Sequence, residues 1–237
     1  MEKMKFVYDT EQIELSIVKS KRKSIAIAIQ PDGNLLVKAP VFLSNDEIIK
    51  WIKTKTGWII RQRVEVLKQQ QLNPPKQYVT GEKFLYLGQE FELEVRISEG
   101  RAGLVGMLDN KIVLFAKSSE GTEVESILRN WYIRQAKVII PKRVQLWAEQ
   151  MGETFGTITI KNQKTRWGSC SSARNLNFNW RLIMAPQDVM DYVIVHELCH
   201  LRQMNHSKIF WSEVEMVLPN YKMHKKWLER NGELLSF

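Results

Sequence analysis

Apolar and polar residues alternate through much of the first forty positions. IELSIVKS (13–20) and SIAIAIQ (24–30) place an aliphatic residue at nearly every second site, and GNLLVKAP follows a Pro31-Asp32-Gly33 turn. Alternation of this kind marks half-buried strands, so a small antiparallel sheet is predicted over residues 11–39. Ser44 then stands where a helix N-cap belongs, and the spacing of Trp51, Ile52, Trp58, Ile59 and Val66 predicts one buried face on a helix running to about Gln70. The basic residues of that helix are read as its solvated face.

LNPPK (72–76) breaks the pattern. Beyond it, KFLYLGQEFELEVRIS (83–98) predicts two strands joined at Gly88-Gln89, and GLVGMLDNKIVLFA (103–116) a hairpin turning at Asp109-Asn110. Helical spacing of Ile127, Trp131, Ala136 and Leu146 predicts an amphipathic helix over about 122–150. After the short strand GTITIKN (156–162), Pro186 opens a further helix, and two more are expected near 208–217 and 221–235. Strands first and helices last describe an α+β chain: an N-terminal antiparallel β-rich region followed by a mostly helical part. The Pro-Pro break suggests regions 1–75 and 76–237; a loop within one continuous domain explains it equally well.

Composition adds limits. With 237 residues the chain can bury a sizeable core, and 44% hydrophobic with 26% charged residues is ordinary for a globular protein. No apolar run approaches the ~18 residues of a membrane span, and the first residues lack the continuous apolar stretch of a signal peptide, so a cytoplasmic protein is expected. Two cysteines, Cys170 and Cys199, build no disulfide framework. A net charge of +9 raises the question of nucleic acid, but the excess is spread along the chain, and its only dense run is KSKRK at 19–23.

The chemistry concentrates in VIVHELCHLRQMNHSKIFW (193–211), which holds three of the four histidines. On a helix, residues four apart lie about 40° apart around the axis, so His196 and His200 present two imidazoles from one face. Glu197 is displaced by about 100°, where its carboxylate can act on a metal-activated water without occupying a ligand position. This is the physical content of H-E-x-x-H: two zinc ligands and a general base on one rigid element. A catalytic zinc takes a third protein ligand. His206, six residues beyond His200, is the strongest choice, with Glu213 and Glu215 as downstream alternatives. Metzincins share the His-x3-His-x5-His spacing but turn the chain with a midway glycine; here Gln203 stands there, and Asn205 is the residue suited to a left-handed turn. His224, set among lysines, reads as exposed, and Cys199 as a buried thiol.

These segments, with TRWGSCSSARNLNFNWRLIMAP (165–186) before them and VLPNYKMHKKWLERNG (217–232) after, closely resemble the YgjP-like metallopeptidases, relatives of the SprT-like zinc proteases within the zincin fold. The resemblance is strong over 160–235 and looser in the β-rich part, including SIAIAIQPDGNLLVKAP and WIIRQR. It implies a zincin-like C-terminal part (about 150–237), Zn2+ on His196, His200 and His206, Glu197 as base, and a protein or peptide substrate. It also implies that Arg166-Trp167-Gly168-Ser169 borders the cleft. There Arg166 either stabilises the oxyanion or packs with Trp167 beneath the metal helix, Gly168 allowing close approach. Phe210 and Trp211 are expected to pack behind His206, and a strand near Leu176–Trp180 to pair with an extended peptide. A DNA-associated protease, or a nucleic-acid-binding module with a structural metal site, is the alternative function; a non-proteolytic hydrolase using the same zinc-activated water is a third.

Overall fold

The structure is a computed structural model that describes residues 2–8, 11–72, 74–163 and 165–235. The chain forms two compact units, Met1–Pro75 and Lys76–Phe237. In the first, strands β1 (Glu2–Tyr8), β2 (Glu11–Ser20), β3 (Ala26–Ile29) and β4 (Leu35–Pro40) form a sheet in the order β1-β2-β4-β3. The predicted alternation is observed: Ile13, Leu15 and Ile17 of β2 and Leu35, Val37 and Ala39 of β4 are buried. The β3–β4 hairpin is antiparallel as expected, and β1, outside the predicted 11–39, adds an antiparallel partner to β2; the central pair β2–β4, however, is parallel, with Leu15 beside Leu35 and Ile17 beside Val37. The physical reason is that β3 occupies the sheet edge, so β4 returns between it and β2.

The single helix predicted over 44–70 is two. Ser44 caps α1 (Asn45–Lys53) in a reciprocal capping box with Glu47. The chain then breaks, because the hydroxyls of Thr54 and Thr56 donate to the carbonyls of Trp51 and Lys53. In α2 (Thr56–Leu72) Ile59 is buried, whereas Trp58, predicted on the apolar face, is 44% exposed. Ile48, Ile52 and Ile59 cover the apolar sheet face.

The second unit begins with the same connectivity. Strands β5 (Lys83–Tyr86), β6 (Gln89–Ile97), β7 (Val105–Leu108) and β8 (Lys111–Ala116) are ordered β5-β6-β8-β7, again with a parallel central pair. No sequence repeat announces this recurrence of topology. The β7–β8 turn is at Asp109-Asn110 as predicted, both at positive φ. Helix α3 (Gly121–Met151) follows, burying Val124, Leu128, Trp131, Tyr132, Ala136, Ile140, Val144 and Ala148 at three- and four-residue intervals.

A three-stranded sheet then forms from β9 (Ile158–Lys161), β10 (Gly168–Cys170) and β11 (Leu176–Asn179), in the order β10-β11-β9. A 3-10 turn (Trp180–Met184) leads through Pro186 into α4 (Gln187–Cys199), followed by α5 (Lys208–Val217) and α6 (Tyr221–Asn231). Helix α4 is buried on nearly every side, which explains its almost unbroken apolar sequence. Two devices fix its position. The β5–β6 turn donates from the Leu87 and Gly88 amides to the carbonyls of Ile183 and Met184, and Gly88 lies so close that a Cβ would meet Pro186 Cα at 2.7 Å. Asp191, buried in α4, accepts from both arms of the Arg143 guanidinium on α3, one of them at 2.8 Å.

Candidate metal centre

His196 and His200 emerge from the last turn of α4, and His206 from the connection to α5. Their ring nitrogens lie within 4.8 Å of one another, with the Nε2 atoms of His196 and His206 3.0 Å apart. Three ligands at ~2.0–2.1 Å from one zinc ion stand roughly 3.3 Å apart in tetrahedral geometry, so the cluster fits a three-imidazole site. Burial, then the neighbouring His200, His206 and Lys225, holds the His196 pKa down to about 3, and burial with His200 and Lys225 lowers that of His206. Both imidazoles are therefore neutral at pH 7, leaving facing lone pairs that a shared cation satisfies. Among the described residues no acidic side chain joins this cluster. Glu215 instead pairs with Lys222 at 3.0 Å, and the charge of Glu213 acts on Cys199.

The turn that presents His206 is not made by Asn205, which is absent from the positive-φ positions. Instead His200 closes α4 in right-handed geometry, and its Nδ1 meets the carbonyl of Gln203 at 2.9 Å. A hydrogen bond there fixes Nδ1 as the donor and leaves Nε2 for a metal. Beyond the turn, Ser207 caps α5 by accepting from the Phe210 amide. Phe210, fully buried, stacks on His200 at 4.5 Å between centroids and meets His196 and His206 edge-on at 4.9 Å. Trp211 stacks on His206 at 5.7 Å. Phe210 thus floors the whole cluster rather than His206 alone.

Glu197 is 5% exposed and faces β10. Its carboxyl lies near the Cys170 amide, its Oε2 is buried without a hydrogen-bond partner among the described residues, and an ideal Cβ on Gly168 would lie 2.6 Å from Oε1. Gly168 therefore does allow close approach, to the Glu197 side chain. Burial raises the Glu197 pKa to about 8 against the opposing charge of Arg166 and that amide. Arg166 is exposed and within electrostatic reach of Glu197. Its loop hangs on the buried Asn179, whose Nδ2 donates to the carbonyls of Gln163 (2.8 Å) and Arg166 (3.2 Å) and whose amide donates to Trp167 O (2.8 Å).

Two expectations change. The strand Leu176–Asn179 is central and paired on both sides, so the sheet edge beside Glu197 is β10. His224 is 8% exposed: Tyr221, His224 and Leu228 fall at i, i+3 and i+7 along the buried stripe of α6, and the lysines around His224 lie off that stripe. Cys199 is buried as expected, its pKa pushed up to about 12 chiefly by burial. Sequence reasoning did not single out Asn179, Glu153 or Arg174, whose roles depend on contacts across the fold.

Residues 23–231 match the sequence pattern of the family described as YgjP-like, metallopeptidase domain. The chain belongs to the YgjP-like metallopeptidase family. No curated protein matches it significantly. Among solved structures, the metallopeptidase zymogen abylysin of Pyrococcus abyssi is 21% identical, covering 39% of this chain and 94% of its own, with a TM-score of 0.36. The zymogen jannalysin of Methanocaldococcus jannaschii is 23% identical, covering 40% and 96%, with a TM-score of 0.35. In this YgjP-like chain, no helix among the described residues is long and apolar enough to cross a membrane.

Proposed function

We propose that this protein is a zinc-dependent peptidase in which His196, His200 and His206 hold the ion and Glu197 is the general base. The observation that carries the proposal is the convergence of three imidazoles on one point, two of them held neutral, beside a buried carboxylate on the same helix. Imidazole ligands suit zinc among the common divalent ions. A zinc ion in this position supplies Lewis acidity towards a carbonyl oxygen and an acidified water at neutral pH.

The chain's own residues do the rest. Glu197 takes the proton of the attacking water and delivers it to the departing amine. Gly168 leaves the space that the carboxylate occupies. The outer edge of β10 offers main-chain groups for pairing with an extended peptide. Arg166 presents positive charge on the Glu197 side of the cleft, where it serves the developing oxyanion.

The test is elemental analysis of the purified protein beside His206→Ala, followed by mass-spectrometric detection of cleavage in a peptide pool. One zinc per chain, lost or sharply weakened in the variant, with hydrolysis abolished by Glu197→Gln, is the expected result. Full zinc retention in His206→Ala overturns the third ligand, and turnover by Glu197→Gln overturns the base.

A further inference from the structure

A groove of about 330 Å³ adjoins the metal centre, walled by Trp211, Tyr221, Lys222, Lys225, Lys226 and Glu229. Its aromatic wall is continuous with the histidine cluster. His206 stacks on Trp211 with rings 24° apart, and Trp211 stacks on Tyr221 at 5.4 Å and 17°.

The charge of the groove is unbalanced. Lys222 is satisfied by Glu215. The Lys225 ammonium sits 4.8 Å over the Trp211 ring, a contact that positions it without neutralising it. Its field reaches His196 and His206. Neither Lys225 nor Lys226 has a carboxylate within ion-pair distance among the described residues, and Glu229 is the only acid in the lining.

We propose that this groove is a carboxylate subsite of the peptidase, receiving from Lys225 and Lys226 either an acidic side chain near the scissile bond or the free C-terminus of the peptide. The inference rests on the peptidase reading above. A peptide carboxylate fits better than a nucleic-acid backbone because the groove is compact and shares Trp211 with the wall of the histidine cluster. Phosphate tracking calls for an extended basic stripe, and the excess positive charge of this chain is spread along its length.

The experiment uses the full-length zinc-loaded Glu197→Gln protein and fluorescein-labelled octapeptides that differ only by Glu or Gln at successive positions, each with a free or amidated C-terminus. Anisotropy should show about ten-fold tighter binding of the acidic peptides, the size of one charge-assisted hydrogen bond. The preference should disappear in Lys225→Glu/Lys226→Glu and weaken in Lys226→Glu alone, which leaves the Lys225 contact with Trp211 in place; zinc content and melting temperature are measured for both variants. A preference that follows the Glu position assigns the side chain; one that follows amidation assigns the terminus. Equal binding of acidic and neutral peptides, or a preference that survives the charge reversal, overturns the proposal. So does duplex DNA displacing the acidic peptides at equal salt. Wild-type hydrolysis without acidic preference removes the subsite alone. Absence of hydrolysis with the binding preference intact removes the peptidase reading and leaves the carboxylate site standing.

Discussion

Gly168 of β10 and Glu197 of α4 occupy one another's space: a Cβ on the glycine would lie 2.6, 2.7 and 2.9 Å from Oε1, Cγ and Cδ of the glutamate. No positive φ requires glycine at this position. The requirement is steric and directed at the proposed base. Gly168→Ala should therefore displace the carboxylate while leaving the histidines in place. We expect kcat/KM to fall about 100-fold, the scale of a ~1 Å misplacement, with zinc stoichiometry unchanged. Alanine at full activity would show that the carboxylate position is not critical.

Burial of Glu197 makes a second prediction, for the metal-free protein. Its pKa is about 8 in the fold against 4.5 ordinarily. A raised carboxyl stabilises the folded state fully below the unfolded value, and the contribution is lost as pH rises through the folded one. His196, lowered to about 3, acts oppositely: its contribution is present above 6.5 and lost as pH falls. Subtracting the Glu197→Gln variant isolates the glutamate. In chelator, the melting temperature of wild type minus that of Glu197→Gln should decrease steadily from pH 5 to pH 8. A flat difference would mean that the buried carboxyl is already ionised at pH 5.

The parts of the molecule legible in the sequence are those fixed by local periodicity. His196, Glu197 and His200 could be placed on one helix because helical spacing is a property of that segment alone, and Ile13, Leu15 and Ile17 could be put on one face for the same reason. The parallel β2–β4 pair was not legible, because strand order depends on where β3 goes. Thr54 and Thr56 break a helix through side-chain hydrogen bonds that leave the apolar pattern intact. His224 misled because its lysine neighbours in sequence are not its neighbours in space; its partners on the buried face are Tyr221 and Leu228. Gly168 was readable as a close approach, though not as an approach to the Glu197 side chain.

A third prediction concerns the segment after His200. Glu153, just past the end of α3, accepts from Arg174 at 3.0 Å and closely from Arg202, while Arg174 also donates to Leu201 O at 3.3 Å and Arg202 to Met151 O at 2.7 Å. Arg174 holds a left-handed backbone, φ 60°, which costs a non-glycine residue about 1 kcal/mol. Its guanidinium contacts offset that cost. The network ties the end of α3 to the turn that carries the chain from His200 to His206. Glu153→Gln should cost about 1–3 kcal/mol, towards the lower end because both arginines are nearly half exposed. It should also weaken zinc binding about ten-fold, as loss of outer support around a metal commonly does. Competition against a chromophoric chelator reads the second effect, and unchanged affinity would limit Glu153 to stability.

The last prediction is that residues 76–237 form the metal centre without the first unit. All three histidines, Glu197, Gly168 and Phe210 lie in this unit, and its apolar cluster runs from Tyr78 to Leu235 without a residue from the first seventy-five. The first unit has its own cluster around Ile13, Val37 and Ile52. A chain of 162 residues buries enough surface to fold alone, whereas one of 75 is marginal. Expressed separately, 76–237 should unfold cooperatively and bind one zinc with affinity within about three-fold of the full chain, a change of less than ~1 kcal/mol. The family match nonetheless begins at residue 23, so it includes most of the first unit. Peptide turnover by the fragment then separates two roles for that unit. Undiminished turnover assigns it no part in the chemistry. A raised KM with unchanged kcat assigns it to substrate binding, because uniform binding is what such a change removes. Failure of the fragment to fold or bind zinc would show that the two clusters are energetically one.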